Sequence, residues 1–566
     1  MYIYNKNINF KLKYISITVI LSFLIPIFYL FYIQVISNEY FLSLGNKNFL
    51  RYGYIEPTRG NILDVNGKFL ARNKVISLIY WHGTGNRFLN NYQKNVISYF
   101  IDKYNLNKDL LSKIEVAERK SKKILIVKDI NLNDLSNIAE LFADCKNISI
   151  KQGYLRFYPY KSIVSHALGY ISPNNNMSGI ERVCNLKLQG NKGEYLKIVN
   201  AFEHDVKFQD FKSCIDGENI QTTINVDIQK IVIESFPVGH QGAVIILDPI
   251  NGSIEALSSF PNFDPNIFLN RIPLDLWQRL SINSTFLNRC CFACYPPASI
   301  FKIVTLAAAL NENIINFDSK WECNGYLKFA GRRYHCAKRS GHGEIDLNEA
   351  FAYSCNIPFF DIGKRLNIDI LAKYANMLGL GIKTNIFLSE KSGLIPNTKW
   401  KKEKLGQNWW QGETLSAAIG QSFTLVTPLQ IACMISAIFT GYIVKPRLLV
   451  NEDILKKDVD IDNKNLEFIQ SCMKVAIERG TARILNKLKD FEIFGKTGTA
   501  QISNLDRSKK NSKFLEHAWF VAYFKYKDFS PRTLVILVEN AGFSRVATKV
   551  AYRFFNKLRS IYESKN

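Results

Sequence analysis

The chain has 566 residues, 47% of them hydrophobic, a formal charge of +24 and eleven cysteines. That length predicts two or three domains, and the apolar fraction is ample for globular cores. The positive charge suits an anionic partner such as nucleic acid, lipid headgroups or an acidic polymer. No basic cluster or nucleic-acid motif accompanies it, and the heavy use of Asn, Ile, Lys, Tyr and Phe is what an AT-rich genome dictates, so no nucleic-acid partner is expected.

Tyr14 to Asn38 contains no charged residue over 25 positions. This is enough to span a bilayer of ~30 Å as a helix. Lys6, Lys11 and Lys13 precede it, which places residues 1–13 in the cytoplasm. A cleaved signal peptide would have a shorter apolar core followed by a small-residue cleavage site. Neither is evident, so residues 14–38 are read as an uncleaved anchor, with everything after residue 39 outside the cytoplasmic membrane.

Residues 39–222 alternate short strands, loops and helical stretches, with no obvious nucleophile–base pair, and read as a scaffold. Within them "EPTRGNILDVNGKFLARN" (56–73) predicts a strand, an Asn-Gly turn and a second strand. The texture changes at about 223. "GAVIILDPINGSIEALSS" (242–259) predicts two strands around a turn, and helices dominate from 300 to 480. Strands return at 491–501, 517–524 and 532–540, and a helix closes the chain over about 547–563. Hairpin-linked strands with helices on their faces give an α+β domain around an antiparallel sheet over residues 223–566.

The chemistry begins at "CYPPASIFKI" (294–303). Pro297 can open a helix, which puts Ser299 at the positive helix end and Lys302 on the same face one turn on. A lysine among apolar neighbours loses basicity by desolvation, and a neutral amine beside a hydroxyl is a general base for a serine nucleophile. Alone, S-x-x-K reads more readily as a surface lysine near a capping serine. It is followed, however, by Ser354 and Asn356 in "YSCNIPFF" and by Lys496, Thr497, Gly498 and Thr499 in "FGKTGTA". S-x-x-K, S-x-N and K-T-G in that order form the signature of penicillin-binding proteins and related β-lactamases.

The resemblance covers nearly the whole chain. "PTRGNILDVNG", "GYLRFYP", "GIE", "QGNKGEY" and "TTINVDIQK" resemble the N-terminal pedestal of class B penicillin-binding proteins, and "DPINGSIEALSSFPNFDPNIF" resembles the start of their transpeptidase domain. "GHGEIDL", "WWQGETLSAAIGQSFTLVTPLQ" and "HAWFVAYF" are most similar to the cell-elongation branch of Gram-negative bacteria, with the septal branch as the alternative. Three departures stand out: Ala298 and Ser422 where glycine is usual, and "VENAGFSRVATKV" without the usual double glycine.

The resemblance implies a five-stranded sheet with helices on both faces and a D,D-transpeptidase held in the inner membrane, its catalytic domain periplasmic. In it Ser299 attacks a terminal D-Ala-D-Ala of a peptidoglycan stem peptide, Lys302 takes its proton, and Ser354 relays a proton to the departing D-Ala with Lys496 nearby. Asn356, Thr497, Gly498 and Thr499 hold substrate, and β-lactams trap Ser299. A D,D-carboxypeptidase remains an alternative, because water can replace the amine. A β-lactam sensor fits less well with a single span and so short a cytoplasmic tail. Implied partners are a SEDS-family glycosyltransferase and rod-shape scaffold proteins. The chemistry implies no cofactor.

One further constellation comes from the residues themselves. Cys323, Cys336, His342 and Cys355 fall within 33 residues, around and inside the S-x-N motif. Three thiolates and an imidazole are a tetrahedral structural zinc set, and this Gly-, Arg- and Lys-rich loop needs a staple. The spacing is not that of a zinc finger. A Cys323–Cys336 disulfide with Cys355 buried is the alternative, and His335 is a rival ligand.

Overall fold

The computed structural model describes residues 2–199, 205–270, 272–386, 388–501 and 515–563. Its first helix, Tyr2–Phe31, runs into a π-helical stretch, Tyr32–Ile36, and a second helix follows at Asn38–Phe49. Phe10–Ile36 supplies 27 residues with an apolar surface, about 40 Å at the helical rise. The chain divides into two units, Met1–Arg59 with Gln189–Glu218, and Gly60–Leu188 with Asn219–Asn566. The expected scaffold, 39–222, is therefore shared between them.

The first unit contains the apolar helix and an antiparallel sheet of Leu50–Ile55, Gly193–Val199 and Asp205–Lys212.

In the second unit, the hairpin predicted for 56–73 forms from Ile62–Leu63 and Phe69–His82. Asp64 Oδ1 accepts from the backbone of Asn66 and Lys68, both at 2.8 Å, and Gly67 takes a φ of 81° that favours glycine. Three of the scaffold motifs meet at one buried ion pair. Arg156 Nε donates to Glu181 Oε1 at 2.6 Å, Arg156 Nη1 donates to the Gly60 carbonyl at 2.7 Å, and the Tyr158 hydroxyl donates to the same Glu181 oxygen at 3.1 Å. Removing one member of such a pair strands the other charge without water. Glu181→Ala is expected to lower stability by about 3–5 kcal/mol, more than Glu181→Gln, as read by denaturant unfolding. Equal midpoints for Glu181→Ala and wild type would show that the pair does not hold this part of the fold.

The central sheet has five antiparallel strands in the order Ile254–Phe260, Gly242–Leu247, Arg532–Val538, His517–Tyr526, Phe491–Ala500. The two early strands thus pair beside the late ones, which ties the ends of the domain together. Alternation along each strand divides its side chains between two cores. Val244, Ile246, Phe520 and Ile536 face the C-terminal helix Arg545–Glu563. Ile245, Leu247, Val521 and Val535 face the helices Lys302–Asn311 and Pro428–Thr440.

The stretch from 300 to 480, where helices are expected to dominate, also carries short strands: Tyr442–Val444 pairs with Lys456–Asp458, and two further pairs surround the cysteines. Lys320–Cys323 pairs with Gly343–Asp346, and Tyr326–Phe329 pairs with Arg332–His335. Strands of four residues are too short for a period of two to stand out in sequence.

Candidate active site

Ser299 lies in a single 3-10 turn, Ala298–Ile300, and the α-helix itself begins at Lys302. The turn is fixed from several sides. Ala298 N–H donates to the Gly420 carbonyl at 3.0 Å, and Trp519 Nε1 donates to the Pro296 carbonyl at 3.1 Å. The Tyr295 hydroxyl donates to Glu539 Oε1 at 2.6 Å, which also accepts from Arg289 Nε at 2.8 Å. Glu539 comes from the segment that lacks the double glycine, and sequence reasoning gave it no role.

Both glycine-to-larger departures fall where the backbone is left-handed: Ala298 has φ 49° and Ser422 has φ 67°. A Cβ is strained there, so Ala298→Gly and Ser422→Gly are each expected to raise stability by about 1 kcal/mol. Thermal unfolding checks this, with penicillin labelling to confirm that the site survives. A lower transition in both variants would contradict it.

Lys302 is fully buried. Its Nζ lies 2.8 Å from Asn356 Oδ1, 2.9 Å from the Ser354 carbonyl, 3.1 Å from the Cys355 carbonyl and 3.3 Å from Ser354 Oγ. Burial pushes its pKa down to about 7. Ser354 and Asn356 thus point the same way, as their spacing predicts, and the point of convergence is the lysine. Ser354 holds a left-handed φ of 56°, a conformation of the kind that clusters at functional sites. Among the described residues no hydrogen bond joins Ser299 to Lys302.

Lys496 sits opposite Val521 on its strand, on the sheet face that carries the Lys302 helix. It too is fully buried, and its Nζ has no hydrogen-bond partner among the described residues. Burial, and then the charge of Lys302, hold its pKa well below the ordinary lysine value. Gly498 lets the strand reach the nucleophile turn: a Cβ there would lie 3.3 Å from both Ile300 Cγ1 and the Pro297 carbonyl. Thr497 Oγ1 shares a 2.6 Å hydrogen bond with Thr481 Oγ1. Thr481 belongs to no motif read from the sequence; only the fold brings it here.

Ser299, Ser354, Asn356, Thr497, Gly498 and Thr499 all line one cleft of ≈ 580 Å³, with the two lysines buried beneath it. The arrangement offers a hydroxyl at the surface, two amines of lowered basicity below, and hydroxyl and amide groups on opposite walls. This is the equipment of acyl transfer through a serine.

The second cluster forms as well. One ligand atom each from Cys323, Cys336, His342 and Cys355 lies within 4.8 Å of the others. His342 Nδ1 is 3.5 Å from Cys323 Sγ and 3.6 Å from Cys336 Sγ, and Cys336 Sγ is 3.7 Å from Cys355 Sγ. A tetrahedral zinc with ordinary bond lengths separates sulfur pairs by about 3.8 Å and sulfur–nitrogen pairs by about 3.6 Å, so the donors fit the ion. All eleven cysteines are free thiols, and the alternative Cys323–Cys336 disulfide is not formed. The rival ligand His335 is outside the group; it is exposed, with its carbonyl accepting from Asn356 Nδ2 at 3.1 Å.

Comparison with known proteins agrees with this architecture. Residues 242–559 match the model of the penicillin binding protein transpeptidase domain, and residues 54–222 match that of the penicillin-binding protein dimerisation domain. The peptidoglycan D,D-transpeptidase MrdA of Haemophilus influenzae is 26% identical over 91% of this chain and 86% of its own. Stage V sporulation protein D of Bacillus subtilis is 27% identical over 95% of this chain and 82% of its own. A solved complex between the penicillin-binding protein PBP2 and MreC from Helicobacter pylori superposes with a TM-score of 0.79 at 26% identity, covering 91% of this chain and 99% of that one.

Proposed function

The chain belongs to the penicillin-binding protein transpeptidase family, and from that premise we propose how its residues divide the work. It is a serine-type peptidoglycan D,D-transpeptidase of the elongation kind. The observation that carries the residue assignment is the convergence of all three motifs on one cleft.

Ser299 is the nucleophile. Lys302 accepts its proton as the hydroxyl attacks the carbonyl of the penultimate D-Ala. As a neutral amine Lys302 has two N–H groups, which can donate to two of the four oxygens around Nζ, and its lone pair is the one that takes the Ser299 proton. Ser354, within reach of Lys302, passes a proton to the departing D-Ala, and Lys496, buried beneath the cleft, supports that relay. Asn356 holds the amide of the stem peptide, and Thr497 and Thr499 hold its terminal carboxylate, with Gly498 giving it room. The N–H groups of Ser299 and Thr499 form the oxyanion hole, of a kind whose single donors contribute ~2.7–4 kcal/mol. An amine of a second stem peptide then attacks the acyl-enzyme.

Cys323, Cys336, His342 and Cys355 hold a structural zinc. When bound, the ion neutralises the thiolates and staples the loop that carries Ser354 and Asn356; no chemical step passes through it.

Residues 14–38 anchor the chain in the inner membrane with residues 1–13 in the cytoplasm, and the division at 223 separates the scaffold from the catalytic domain. The Helicobacter pylori protein's complex with MreC supports a rod-shape scaffold protein as partner. The apolar surface of Phe10–Ile36 suits packing against a SEDS-family glycosyltransferase.

Labelling with a fluorescent penicillin followed by peptide mapping tests the site: label on Ser299 is expected, and label on any other residue overturns the assignment. Incubation with stem peptide and an amine acceptor tests the reaction, since hydrolysis without transfer would mark a carboxypeptidase.

A further inference from the structure

Two sulfurs of the thiol cluster are placed to bond to each other. Cys336 Sγ and Cys355 Sγ share a hydrogen bond at 3.7 Å, and the His342 imidazole stands beside both Cys323 and Cys336, with Nδ1 3.5 Å and 3.6 Å from their sulfurs. Cys336 alone of the three cysteines lines the catalytic cleft. A small oxidant that enters the cleft therefore meets Cys336 first and finds Cys355 directly behind it. Cys355 in turn lies between Ser354 and Asn356, and its own carbonyl is one of the oxygens around Lys302 Nζ, at 3.1 Å.

We propose that Cys336 and Cys355 are an oxidation site: without metal, hydrogen peroxide in the cleft joins them in a disulfide that shuts off acylation at Ser299. The first step forms a bond between Cys336 sulfur and one peroxide oxygen. The O–O bond breaks, and the second oxygen leaves as water with the thiol proton. Cys355 sulfur then attacks Cys336 sulfur. The S–O bond breaks, a second water leaves with the remaining thiol proton, and the S–S bond forms. Two thiols lose two electrons and two protons, and one peroxide becomes two waters.

The consequence follows from length. A disulfide holds its sulfurs ~2.05 Å apart, so the pair closes by more than 1.5 Å, about the difference from the 3.7 Å now between them. Cys336 is held by its backbone N–H, which donates to the Gly325 carbonyl at 2.9 Å. Cys355 sits in the turn with the left-handed Ser354. Contraction drags the Ser354–Asn356 segment, and with it the oxygens that position Lys302. A displacement of this size in a group that positions a base is expected to slow acylation by about 10²-fold.

The inference rests on the zinc reading in one respect: bound zinc engages both sulfurs and should protect them. The compartment is also the one in which disulfides persist.

The test uses the full-length protein in detergent, first stripped with a chelator, then treated with hydrogen peroxide and blocked with an alkylating agent. Peptide mapping is expected to find Cys336 joined to Cys355, in wild type and in Cys323→Ser alike. Penicillin acylation is expected to fall by about 10²-fold and to return with dithiothreitol. Cys336→Ser, compared with its own untreated rate, should be insensitive to peroxide. Zinc added before peroxide should suppress the cross-link. A Cys323–Cys336 linkage, no linkage at all, or an equal peroxide loss in Cys336→Ser would overturn the proposal. A Cys336–Cys355 cross-link that forms equally with zinc present would support the oxidation site and count against the zinc reading, so the two fail separately.

Discussion

Ser299→Ala abolishes labelling by penicillin and leaves the thermal transition in place. The substitution removes one oxygen from a half-buried side chain and leaves no cavity, so the fold has no reason to respond. The rate should fall on the order of 10⁴-fold or more, and Lys302→Ala should lose nearly as much, because nucleophile and base act as a unit. The double variant should be little worse than either single one. The pH profile separates a base from a structural lysine. Burial holds the Lys302 pKa at about 7, so below that value the neutral amine gains about tenfold per pH unit. Acylation by wild type should rise with pH up to about 7 and level off above it. Lys302→Ala should lack that rise. Substantial acylation of Lys302→Ala at neutral pH, with the rise intact, would refute the base assignment.

Much of this site was legible because its parts are short and local. S-x-x-K is one helical turn, S-x-N is one loop, and K-T-G is one strand segment, so each shows its geometry through spacing alone. The central sheet was legible because its strands run up to ten residues and are apolar on both faces. What the sequence concealed is long-range. Thr481 meets Thr497 only through the packing of a helix end against a strand. Glu539 reaches Arg289 and Tyr295 across 250 and 244 positions, and no local pattern encodes that. The Arg156–Glu181 pair was quoted in two separate motifs, but neither motif says that the other closes it. The left-handed angles at Ala298 and Ser422 explain why glycine suits those positions. The four short strands around the cysteines went unread for the opposite reason, since too few residues per strand carry the pattern.

Those strands matter for the remaining prediction, which concerns the metal. Cys323 ends one strand, Cys336 follows another by one residue, and His342 precedes a third. Two two-stranded ladders of four residue pairs each are weak support for a loop that must hold Ser354 and Asn356 still, because isolated two-stranded ladders are marginal in water. A zinc ion bound by Cys323, Cys336, His342 and Cys355 would join three elements to the S-x-N turn and supply that constraint. At a thousandfold excess over its dissociation constant, a ligand bound only by the folded state stabilises by about 4 kcal/mol. In a domain of this size that is roughly 6 °C in the unfolding temperature. Chelation should therefore lower the transition by roughly that amount. It should also slow acylation, although none of the four ligands is a nucleophile or a base. His342→Ala and Cys355→Ser should each reproduce both effects, with acylation slowed by about 10-fold or more. In neither variant should chelator cause any further change. That insensitivity is the decisive readout, since a residue that merely packs the loop would lower stability without making the chelator irrelevant. Metal analysis of the purified chain is expected to find one zinc per molecule. No zinc, together with a transition that chelator does not move, would end the metal reading and leave the loop to be held by its side chains alone.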